Sequence, residues 1–105
     1  MKVTREQAQE IITKEVSAYL EKYGESTGVP LHILTSKESR EHVIIVGTSI
    51  MMNRLGFNTF PGSFVQAVLD DSLSGAFTRA DSINQQSLRF YATMMHSLGI
   101  NISPE

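Results

Sequence analysis

Ala8, Ile11, Ile12, Val16, Tyr19, Leu20 and Tyr23 recur at three- and four-residue steps, which places them on one face of an α-helix. Thr4-x-x-Gln7 precedes the stripe as a capping box: the threonine oxygen accepts an orphan amide and the glutamine reaches back. Gly24 suits the left-handed position after the last turn. The pattern predicts a helix over 5–23.

The rest of the chain divides at its glycines and prolines. Residues 24–35 read as a connection punctuated by Gly28 and Pro30. Val29, Leu31, Ile33 and Leu34 are too apolar for a solvated loop and are expected to tuck over the core or form a short extended piece. Residues 36–55 are ambiguous. His42-Val-Ile-Ile-Val46 is β-branched enough for a buried strand. However, Ser36 can cap a helix, Glu38 and Glu41 suit its positive first turn, and Val43, Val46 and Ile50 keep helical spacing up to Gly56. With no partner strand in view, helix is the preferred reading. Phe57–Phe60 read as a turn, and Pro61 pre-sets the first turn of a helix over 61–73. Asp70-Asp71-Ser72 and Gly75 are expected to break or bend its stripe. Ser82-x-x-Gln85 reads as a second capping box, or Asp81 as the cap, for a helix over 82–98. Gly99 followed by Ile100 suits a Schellman stop. Residues 101–105 read as a frayed tail. The expected fold is therefore all-α: a compact bundle of about four helices with short connections.

Composition bounds function more than it directs it. A chain of 105 residues with 41% hydrophobic and 19% charged residues is expected to be one domain, 1–105, with a single core. The net charge is −2 and the nine basic residues are scattered, which argues against nucleic acid as a partner. The absence of cysteine removes disulfides, thiolate metal sites and cysteine nucleophiles. No apolar run approaches the ~20 residues of a membrane span, and the opening residues are polar. A cytoplasmic protein with no membrane contact is the expectation.

No reaction signature stands out. Adjacent helical residues point about 100° apart, so Asp70 and Asp71 do not readily chelate one ion, and a solvated break is the better reading. His32, His42 and His96 lack a zinc-type spacing and read as independent surface or capping residues. Pro61-Gly-Ser63-Phe is not a nucleophile elbow. The sequence thus points to no catalytic residue, no metal and no cofactor. Arg79-Ala-Asp81 carries more information. Asp81 can cap the last helix while Arg79 reaches Asp70 or Asp71 as a clamp. The functional counterpart is an anionic ligand held by Arg79 with Asp81 and Asn84 at that helix end, joined by Phe60 and Ser63. The methionine pairs Met51-Met52 and Met94-Met95 suit gap filling in a core. Met51, Met52, Phe57, Tyr91 and Met94 are also candidates for an oligomer interface.

The block Pro61-Gly-Ser-Phe-Val-Gln-Ala-Val-Leu69, then Leu73, Ala76, Arg79-Ala-Asp81 and Asn84, resembles a small family of phage and prophage proteins carrying a P-x-G-x-F-x-x-A-V-L … R-A-D-x-x-N series. It spans about a quarter of the chain. The resemblance implies a phage origin and no particular chemistry. The expected function is a non-enzymatic binding protein, homo-oligomeric, acting on a host protein in counter-defence or sequestering a small ligand. The alternative is a protein or enzyme that binds a small, nucleotide-like anion at the N-terminal end of the last helix. A helix-turn-helix DNA-binding regulator around 43–73 is the third reading.

Overall fold

The computed structural model describes residues 1–57 and 61–105. Among these, seven helices and a two-residue strand pair follow in the order β1 (Lys2–Val3), α1 (Arg5–Tyr23), α2 (Leu31–Leu34), α3 (Lys37–Arg54), α4 (Ser63–Leu69), α5 (Leu73–Arg79), α6 (Ser82–Gln86), α7 (Leu88–Ser97) and β2 (Ser103–Pro104). The fold is predominantly helical, as the periodicity predicts, but its helices are more numerous and shorter than the four expected.

The helix α1 matches its predicted bounds. The Gln7 amide donates to Thr4 Oγ1 at 3.2 Å and the Thr4 amide to Gln7 Oε1 at 2.9 Å, which completes the capping box. Gly24 corrects the sequence reading, because it keeps a right-handed conformation (φ −56°). Gly28 (φ 91°) is the left-handed residue, and the amides of Gly28 and Val29 reach back to the carbonyls of Glu25 and Gly24. That is the Schellman pattern, fixed by the buried Val29 that follows it. Gly24 is needed for space instead: a Cβ there would come within 2.9 Å of Leu34 Cδ2. Leu31–Leu34 forms a single helical turn rather than an extended piece, and Ile33 is buried beneath it.

Residues 42–46 are helical, inside α3. Gly56 (φ 89°) ends that helix, with Phe57 N–H donating to Met52 O and Gly56 N–H to Asn53 O. The same pattern recurs after α4 without a glycine. Asp71 (φ 55°) occupies the left-handed position, and Asp71 and Ser72 donate to the carbonyls of Val68 and Ala67. Aspartate tolerates this conformation better than most residues. It separates α4 from α5 at the break expected over Asp70-Asp71-Ser72; α4 spans 63–69 of the expected 61–73, and Gly75, expected to share in the break, lies inside α5.

The helix expected over 82–98 divides at Ser87, which caps α6 at one end and starts α7 at the other (φ −107°, ψ 6°). Gly99 is not left-handed, so no Schellman stop forms there. The tail is not frayed. Ser103–Pro104 pairs in parallel with Lys2–Val3, Ser103 N–H donates to Met1 O at 2.9 Å, and Ile102 is buried.

The core lies where α1, α3 and α7 meet. Ile12, Val16, Val43, Ile50, Phe90, Tyr91 and Met94 are completely buried. Gly47 permits the approach: a Cβ there would stand 2.9 Å from Val16 Cγ1 and 3.5 Å from the Met94 side chain. The five side chains proposed for an oligomer interface, Met51, Met52, Phe57, Tyr91 and Met94, are all buried inside this one chain. The reason is that α3 packs against α1, α2, α4, α6 and α7, so both of its methionines face neighbours.

Candidate functional site

The short helix α6 is laid against α3 and α7, and this junction holds Asp81 and Asn84, two of the polar residues singled out in the sequence. Asp81 precedes α6 as its cap, and its Oδ1 accepts the Asn84 amide at 2.8 Å. The proposed Ser82–Gln85 box is not formed. Gln86 Nε2 donates to Ser82 Oγ, and Gln85 Nε2 donates back to Phe77 O. Asp81 wins the cap because its carboxylate meets the amide end of the helix.

The other carboxylate oxygen of Asp81 lies 3.1 Å from His42 Nε2 on α3. The distance is that of an ion pair, but Nε2 is not aligned for a hydrogen bond. We therefore treat it as an electrostatic contact and not as a directed bond. Asn84 turns its own side chain inward. Its Oδ1 accepts the Tyr91 hydroxyl at 2.7 Å, and both residues are buried. Burial first, and then the Asp81 charge, push the Tyr91 phenol well above its ordinary range. The chain His42–Asp81–Asn84–Tyr91 thus ties three helices together.

This junction suits holding better than reacting. The tyrosine is kept protonated by burial, which makes it a hydrogen-bond donor and a poor base. The aspartate is engaged by the helix end it caps. His42 and Tyr91 belong to the cluster, and sequence reading did not place either there. Only the stripe that put Tyr91 on the inner face of its helix hinted at its part.

Arg79 does not join this group. Its Nη1 donates to Gly75 O at 3.1 Å, within its own helix, and it makes no ion pair among the described residues. The expected clamp onto Asp70 or Asp71 is therefore absent. Asp71 instead meets His96 Nε2 at 3.1 Å, which joins the turn between α4 and α5 to the end of α7. Asp70 Oδ1 accepts from Gln66 Nε2 at 3.0 Å.

Arg79 and Ser63 do share a place. They line one open cleft of about 270 Å³ between α4 and α5, together with Gln66, Ala67, Asp70 and Ser72. A smaller, mostly apolar pocket of about 70 Å³ shares Ala67 and Ser72 with it and is lined also by Val68, Asp71, Ala76, Leu88 and Ala92. Phe60 lies outside the described residues.

His32 stands on α2, apart from the pairs made by His42 and His96. No three histidine or carboxylate residues among those described gather as a metal-binding group. No helix among the described residues is long and apolar enough to cross a membrane. The chain was compared with protein-family models, curated proteins and solved structures, and it matches none of them.

Proposed function

We propose that this chain is a non-enzymatic binding protein of phage type, which self-associates and acts on a host protein in counter-defence. The observation that carries the reading is Phe77. Its ring stands on α5, inside the block that resembles the phage proteins, and is 53% exposed, whereas Phe57, Phe64, Phe90 and Tyr91 are buried. Tyr23, Leu31 and Ile45 are the other exposed large apolar residues on helices among those described. A half-exposed aromatic is the kind of residue that anchors a protein–protein contact. Asp81 and Asn84, first expected to bind a ligand at the last helix, are engaged in holding helices together, which favours a surface over a reaction centre at that end. The methionine face expected to form the oligomer contact is internal, so self-association in this proposal runs through Phe77.

Light scattering coupled to size exclusion tests it. The wild type is expected above the monomer mass and Phe77→Asp at the monomer mass, with unchanged far-UV circular dichroism. A monomeric wild type overturns self-association. A host-protein capture that is equally strong with Phe77→Asp overturns the assigned surface.

A further inference from the structure

Arg79 and Asp70 line the same cleft without touching each other, and each is held in place by its own helix. Gln66 Nε2 braces Asp70 at 3.0 Å across one turn of α4 and its C-terminal end. Arg79 lies back along α5 and donates to Gly75 O at 3.1 Å. Gly75 makes room for that posture: a Cβ at this position would stand 2.6 Å from Ser72 Oγ and 3.1 Å from Arg79 Nη1. The guanidinium carries five donors in a fixed fork and spends one on Gly75, and Arg79 is an exposed residue that lines the cleft. The result is a cation and a carboxylate on opposing helices, with the Ser63 and Ser72 hydroxyls beside them.

Two magnitudes select the ligand. Pockets for drug-sized molecules run to about 300–1,000 Å³. At about 270 Å³ this open cleft stands at the lower edge of that range, room enough for a small molecule. A simple anion drawn to Arg79 would also meet the Asp70 charge in the same small volume, where like charges oppose it. A molecule bearing both signs meets both partners. We propose that the α4–α5 cleft binds a small zwitterion of amino-acid type, its carboxylate on Arg79 and its ammonium on Asp70. The site is separate from the Phe77 surface, and its test does not depend on self-association.

The test is a titration of ¹⁵N-labelled protein followed by NMR, with glycine and L-serine as zwitterions, acetate as the anion and ethylammonium as the cation. Glycine and L-serine are expected to shift the amides of residues 63–79 and to half-saturate at roughly tenfold lower concentration than either single-charge probe. Arg79→Met weakens the zwitterions about tenfold or more. Asp70→Asn weakens the zwitterions and strengthens acetate, a crossover that a structural defect does not produce. Both side chains are exposed, so both variants are expected to keep the wild-type spectrum elsewhere. The proposal is overturned if no amide in 63–79 moves, if acetate binds the wild type as well as glycine does, or if Asp70→Asn shows no crossover.

Discussion

The Tyr91 hydroxyl donates to Asn84 Oδ1 at 2.7 Å inside the core, across the joint between α6 and α7. Neither group has water to fall back on, since Tyr91 is fully buried and Asn84 is 6% exposed. The bond explains how the chain can break its helix at Ser87 and still fix the angle between the two pieces. Tyr91→Phe keeps the ring and its edge contacts with Phe64 and Phe90. It leaves the Asn84 oxygen without its donor. A buried acceptor left unpaired costs about 1–3 kcal/mol. Urea unfolding is expected to show a loss of that size with an unchanged slope. A loss below ~0.5 kcal/mol would mean that Asn84 finds another donor.

The same tyrosine gives a pH dependence whose sign is determined. Its folded-state pKa is raised above the ordinary value of about 10, by burial first and Asp81 second. Above pH ~10 the unfolded chain releases this proton and the folded chain retains it, so the folded state binds more protons. Stability contributed by the neutral phenol is full below that pH and declines as pH rises. The slope is about 1.4 kcal/mol per pH unit for one proton. Other groups titrate in this range too, so the measurement is a difference. Wild type minus Tyr91→Phe, followed by alkaline unfolding, is expected to show the one-proton slope. Parallel curves for the two proteins would refute it.

Asp81 serves both the α6 cap and the contact with His42, and two substitutions separate the roles. Asp81→Ala removes the cap oxygen that accepts the Asn84 amide, at a cost of about 1 kcal/mol. Asp81→Asn keeps a good capping side chain and removes only the charge, so it is expected to cost less. Asp81→Asn should also leave most of the alkaline decline in place, because burial of Tyr91 is the larger cause. Denaturation midpoints for the pair decide this. Equal losses would show that the charge beside His42 matters more than the cap.

Local signals in the sequence translated well and tertiary ones did not. Thr4 and Gln7 are three residues apart, so their reciprocal hydrogen bonds could be read directly. Gly24 and Gly28 both invite a helix stop, and the choice falls to Gly28 because Val29 is buried behind it while Leu34 crowds Gly24. Ser87 carries no strong breaking signal; its turn is held by bonds to Ile83 and Asn84 that follow from docking α6 on α3. For the candidate site, Asp81 was legible as a helix cap, but Asn84 was read as a ligand contact and instead accepts the Tyr91 hydroxyl inside the core. His42 was not legible, because nothing in its own segment points to Asp81. Arg79 misled for a related reason: Arg-x-Asp spacing suggests a shared site, but the side chain turns back onto Gly75. The methionine pairs fill the core, as their first reading has it; the alternative of an outward face fails for Met51 and Met52 because α3 is covered on both sides, which its own periodicity does not reveal.

Gly47 offers the sharpest test of the packing. In a helix interior, glycine is about 1 kcal/mol worse than alanine, so Gly47→Ala taken alone should stabilise α3. The structure opposes that gain. The new Cβ would stand 2.9 Å from Val16 Cγ1, on a valine that is fully buried and stiff about χ1. Overpacking of this kind costs about 1–3 kcal/mol, so the net effect is expected to run from neutral to about 2 kcal/mol destabilising. A second background resolves the two contributions. Val16→Ala removes the opposing methyl and destabilises by itself through the space it leaves. In that background Gly47→Ala has room, and the helix preference should dominate, giving a gain of up to ~1 kcal/mol. The coupling between the two substitutions in a double-mutant cycle is therefore expected to be favourable, by about 0.5–3 kcal/mol. Additive effects within error would mean that α1 and α3 do not meet through these two residues. The close crossing of the core helices would then have to rest on other contacts.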